Sequence, residues 1–101
     1  MSKVIPTSLP LKERKKMLSL LFTKIAKLKS KDSVANFISD VLTESEQVMI
    51  LRRLQIAKLL IEEKTYYEIR YQLGVANDTI KIVRKNLDFG CGGYINFIKK
   101  L

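Results

Sequence analysis

The segment Tyr66–Lys85, reading YYEIRYQLGVANDTIKIVRK, contains the residues best suited to a defined chemical task. Asn77, Asp78, Thr79, Lys81, Arg84 and Lys85 fall within about two and a half turns of a single helix. Each type has a partner on a base edge or phosphate. Asn reads adenine in a bidentate way, Asp accepts from the cytosine amino group, Thr bonds a base or phosphate, and Lys or Arg reaches guanine or the backbone. Tyr66, Tyr67 and Arg70, one helix earlier, are spaced to reach phosphates and fix register. Asp78 repels phosphate, so its expected role is either base discrimination or capping of its own helix, with capping favoured.

For these side chains to act together, two helices must cross about a tight turn. Ile69 and Leu73 supply the inward face of the first helix, which spans Tyr66–Leu73 and is capped by Thr65 with Glu68 at capping-box spacing. Gly74 stops it, because glycine takes the left-handed conformation at little cost, and Val75 plugs the turn. Ile80 and Val83, three apart, pack the second helix from Asn77 to about Leu87 across the first. Its exposed residues are then Asn77, Asp78, Thr79, Lys81, Ile82, Arg84, Lys85 and Asn86. This is the helix-turn-helix pattern, which holds its second helix free to enter a major groove. Arg70 departs from it, occupying a crossing position that is usually small.

The remaining periodicity is also helical. Met17, Leu18, Leu21, Phe22, Ile25 and Leu28 form one stripe of a helix opened by Pro10, with Ser8 or Leu9 just outside. Ser30 caps a second helix over Lys31–Leu42, carrying Val34, Phe37, Ile38 and Val41. Thr43, with Glu46, caps a third that runs to about Glu63. Gly90, Gly92 and Gly93 turn around Cys91 into a last helix ending at Leu101. No stretch alternates with a period of two, so the expected class is all-α, with five to six helices. The expected organisation is a single domain, with dimerisation helices over 10–64, a helix-turn-helix over 65–87 and a C-terminal helix over 88–101. The wide apolar faces of the first three helices exceed what a chain this small can cover, which predicts a homodimer.

Composition narrows the function classes. The 101 residues carry 19 Lys+Arg, 10 Asp+Glu and no histidine, for a net charge of +9. The charge is placed unevenly: +8 over residues 1–31, −3 over 32–69 and +4 over 70–101. Without histidine the chain lacks the commonest general base and metal ligand. Cys91, the only cysteine, has no base or co-ligand nearby in sequence, so neither an enzyme nor a metal site is expected, and no cofactor. No apolar run is long enough for a membrane span or signal peptide, which predicts a cytoplasmic protein.

Over roughly Val41–Tyr94 the chain resembles the Trp repressor superfamily. The resemblance rests on the Leu42-Thr43 entry to a long helix, Arg53 within it, the LLIEEKTYYEIRYQLGV join and the helix-turn-helix itself. The tail LDFGCGGY (Leu87–Tyr94) resembles the YerC/YecD-like branch rather than the tryptophan-responsive one. The resemblance implies an intertwined, all-helical homodimer that binds palindromic operator DNA, with repression as its expected output. Tryptophan-responsive members hold their co-repressor between an arginine on the long helix and an arginine–glycine pair on the reading helix. Arg53 and Thr43 match the long-helix side. Ile82 and Val83 replace the pair, removing a cation and filling space, so no tryptophan co-repressor is expected. Thr43 as a helix cap and Arg53 in an ion pair with nearby acids are structural roles that suffice for both. The alternative is a helical protein–protein interaction module that uses the helix-turn-helix as a docking surface.

Overall fold

In the computed structural model, which describes residues 8–99, every regular element is a helix. These are α1 (Leu11–Ala26), α2 (Lys31–Val41), α3 (Glu44–Ile61), α4 (Tyr66–Leu73), α5 (Asn77–Phe89) and α6 (Gly93–Lys99). The all-α expectation holds, with no strand among the described residues. The chain divides into two compact units, Met1–Glu44 and Ser45–Leu101.

The first unit contains α1 and α2. Pro10 is the N-cap of α1 rather than its first helical residue, and its fixed φ of −53° leads directly into the helix. Ser30 caps α2 as expected, its hydroxyl accepting from the Ser33 amide at 3.0 Å. Neither helix has a buried residue. Met17, Leu20 and Phe22 on α1, and Val34 and Val41 on α2, are all exposed.

The second unit holds the core. Ile56, Ala57, Leu59 and Leu60 from α3 pack with Ile69 from α4 and with Ile80 and Val83 from α5. Tyr66, Leu73, Val75, Leu87, Tyr94 and Ile98 close around them. The inward residues read from the sequence for the two crossing helices (Ile69, Ile80, Val83) are all fully buried. Complete burial of each contributes about 1.5–3 kcal/mol. The two helices therefore fix each other's orientation.

Both ends of α4 are set by local chemistry. Thr65 accepts from the Glu68 amide at 3.1 Å, and its hydroxyl donates to the Glu68 carboxylate at 3.2 Å. At the other end, Gly74 sits at φ +67°, and its N–H closes the helix onto the Arg70 carbonyl at 2.8 Å. α3 ends at Ile61, two residues short of the sequence expectation, in a Schellman turn. The Lys64 and Glu63 amides donate to the Leu59 and Leu60 carbonyls, each at 3.0 Å. Glu63 occupies the left-handed position of that turn at φ +64°. α5 runs two residues past Leu87 to Phe89 and stops at Gly90, where a Cβ would lie 2.3 Å from the Asn86 carbonyl oxygen. The expected end of α6 at Leu101 lies outside the described residues.

The left-handed positions flanking α4 predict opposite responses. Glu63→Gly relieves a strained non-glycine residue and raises stability by about 0.5–1 kcal/mol, after the entropy of the added glycine is set against it. Gly74→Ala introduces that strain and lowers stability by about 1 kcal/mol. Urea titrations at one fixed protein concentration, followed by helical circular dichroism, measure both.

Candidate nucleic-acid interface

α5 is amphipathic because its core residues recur at helical spacing. Ile80, Val83 and the partly buried Leu87 face inward. At about 100° per residue, Asp78, Lys81, Ile82 and Lys85 then fall on the opposite side. All four are exposed, as is Asn86. Of the eight residues expected on the exposed side of α5, these five are exposed.

The other candidates on α5 are arranged differently. Asn77, Thr79 and Arg84 are half-buried along the flanks. The Asn77 side-chain oxygen is buried without a hydrogen-bond partner, so this rotamer cannot offer the paired donor and acceptor that adenine needs. Arg84 is held along the helix by Asp88, with Nε to Oδ2 at 3.1 Å and Nη2 to Oδ1 at 2.6 Å. That hydrogen bond holds the Asp88 carboxyl below its ordinary range and raises Arg84 above its own. Asp88 therefore stays ionised at neutral pH, and the pairing is lost only as pH falls through the lowered carboxyl value. The expected capping by Asp78 does not occur. Ala76 is the N-cap and no side chain bonds the free amides there. Asp78 sits in the first turn and acts on the helix dipole through its charge alone.

On α4 the sequence expectation divides. Tyr66 turns partly into the core, and Arg70 is half-buried. Tyr67 faces out at 69% exposure. Tyr71, which the sequence reading leaves out, is 84% exposed. The two rings stack with centroids 6.5 Å apart and planes 18° from parallel. Their i, i+4 spacing, offset from the inward Tyr66, Ile69 and Leu73, is the signal that marks Tyr71.

The candidate surface therefore combines a charged outer stripe on α5 with an aromatic pair on α4, both carried by one buried crossing. Among the described residues no group of three or more Cys, Asp or Glu is arranged to hold a metal ion, and no helix is long and apolar enough to cross a membrane. On α3, the Arg53 guanidinium donates to the Met49 sulfur at 3.6 Å, in place of the expected ion pair with an acid.

Comparison with known proteins places this geometry. The sequence model of the family described as "Trp repressor protein" matches residues 16–101. The chain is 34% identical over 83 residues to an uncharacterized protein, YerC, of Bacillus subtilis (strain 168), covering 82% of this chain and 80% of that protein. Its fold is similar to the crystal structure of a TrpR-like protein from Eubacterium eligens ATCC 27750, with a TM-score of 0.75 and 32% identity, over 84% of this chain and 88% of the other. The buried helix crossing, the free outer face of α5 and these matches together assign the chain to the Trp repressor family, on the branch that includes YerC.

Proposed function

We propose that the chain is a sequence-specific DNA-binding transcriptional regulator, a repressor that binds palindromic operator DNA as a homodimer in the cytoplasm. The observation that carries this reading is the exposed stripe of Asp78, Lys81, Ile82 and Lys85 on a helix whose opposite face is locked by Ile80 and Val83. α5 with its side chains is about 10–12 Å across, and the major groove is about 12 Å wide. In this reading Lys81 and Lys85 bind phosphate or guanine, Asp78 and Thr79 discriminate bases, and Asn77 contributes through its amide nitrogen. Tyr66, Tyr67 and Arg70 flank the backbone, and Arg84 joins them only when it leaves Asp88.

The dimer is supported by what the single chain fails to bury. Seven described side chains form the apolar core, whereas twenty-one large apolar or aromatic side chains are exposed. Eight of the latter lie on α1 or just before it at 39% exposure or more, including Leu11, Leu21 and Ile25. Covering each against a second copy contributes up to about 1.5–3 kcal/mol. In this reading residues 10–64 form the dimerisation region, 65–87 the reading head, and α6 (Gly93–Lys99) follows as a C-terminal helix. In such a dimer the two half-sites lie about 34 Å apart, one turn of duplex.

Tryptophan has no part in this reading. Val83 is fully buried in the core of its own unit, Ile82 carries no charge, and the Arg53 guanidinium lies on Met49. These residues do not fit an indole and its carboxylate. Adding tryptophan should therefore leave DNA affinity unchanged, and a shift of tenfold or more in a fluorescence-anisotropy titration would contradict that.

Two variants test the interface itself. Lys81→Ala with Lys85→Ala should lower affinity while leaving helicity and sedimentation unchanged. It should also flatten the dependence of log K on log[salt] by about 0.9 for each phosphate that is no longer neutralised. Unchanged affinity at moderate salt removes α5 from the interface. Asp88→Asn frees Arg84 and removes a negative charge beside the groove. Affinity should then rise about threefold or more at 0.1 M salt, with a steeper salt dependence.

A further inference from the structure

We propose that the stacked pair Tyr67–Tyr71 on the outer face of α4 is an uncharged clamp for the sugar–phosphate backbone of duplex DNA. Tyr71 is its additional positioning residue. The inference rests on the DNA-binding reading above and extends it to a surface that α5 does not supply.

Three observations carry it. Both rings lie on water, at 69% and 84% exposure, whereas Tyr66 on the same helix packs partly against the core. The inward side of α4 is taken by Tyr66, Ile69 and Leu73, and this pair is left outside. The rings also lie nearly parallel, with centroids 6.5 Å apart and planes inclined by 18°, so the pair presents one aromatic surface. A preformed aromatic surface loses little conformational freedom on binding, which is why tyrosine is favoured where a rigid, amphipathic surface is needed. Finally, the pair sits on the helix that crosses α5 through buried Ile69, Ile80 and Val83, so its position is tied to the outer stripe containing Lys81 and Lys85.

The occupant is identified by charge and by donor chemistry. The second helix of the crossing exposes two lysines, and residues 70–101 carry a net charge of +4, which favours a polyanion. A phenol offers one neutral O–H donor to a phosphate oxygen and an apolar ring face to the deoxyribose. Such interactions add affinity regardless of base sequence. They release no counterions, because no charge is neutralised. Lysine–phosphate pairs weaken with salt in proportion to their number, and the tyrosine clamp does not change that slope.

The test uses the full-length chain, a selected operator duplex and a random-sequence duplex of equal length. Tyr71→Phe and Tyr67→Phe each remove a hydroxyl from an exposed ring edge and leave the fold intact, as melting and sedimentation would check. Each should lower affinity about three- to tenfold, equally on both duplexes, with the salt slope unchanged. Tyr71→Ala should lose at least as much. Lys85→Ala, run in parallel, should reduce the slope. Wild-type affinity in both Tyr71 variants overturns the proposal while leaving the regulator reading intact. A loss confined to one base-pair position or a flattened slope overturns it too, as does a shift toward monomer, which would assign the pair to the interface between subunits. If the wild-type chain binds neither duplex, the regulator reading and the clamp fail together.

Discussion

The packing of Ile80 and Val83 against Ile69 and the α3 residues Ile56 and Leu60 is the constraint on which the rest of the second unit depends. A helix of 13 residues in which most side chains are charged or polar has little intrinsic reason to hold one orientation. Burial of its two branched residues sets the rotation, and that rotation decides which polar residues reach solvent. Shift the inward pair by one position and the face shared by Asp78, Lys81 and Lys85 would turn away from its outward direction by about 100°. The chemistry of the site is thus inherited from apolar packing that touches no ligand.

The crossing in turn requires a turn of fixed geometry. Gly74 supplies it by adopting φ +67°, while Val75 fills the space beneath. At the other end of α4, the Thr65 hydroxyl accepts from the Glu68 amide that the first turn leaves open, and donates in turn to the Glu68 carboxylate. Glu63 does with strain what Gly74 does freely. A short helix of eight residues could not persist alone in water. Its ends and its one fully buried residue, Ile69, supply what its length does not.

Much of this was legible in the sequence because it depends on period and on conformational preference. Helical spacing identified Ile69, Ile80 and Val83, and Gly74 marked the turn, since these signals are local and strong. The features that escaped depend on side-chain choices that periodicity leaves undetermined. Tyrosine is amphipathic, so α4 can half-bury Tyr66 and expose Tyr71 without violating any pattern. Arg84 and Asp88 stand four apart, a spacing that permits a pairing without requiring it. Asp78 has the type of an N-cap but lies two residues inside the cap position, where its carboxylate meets no free amide. The left-handed Glu63 was hidden for a related reason, because the Schellman turn usually signals itself by glycine.

The central claim is that the outer side of α5 lies in the major groove of two symmetry-related half-sites. Selection of bound duplexes from a random pool tests it most directly, because one result reports class, symmetry and spacing together. An enriched inverted repeat with half-site centres about one helical turn apart is the predicted outcome. Recovery of an unenriched pool, or of a single site without two-fold symmetry, would contradict it.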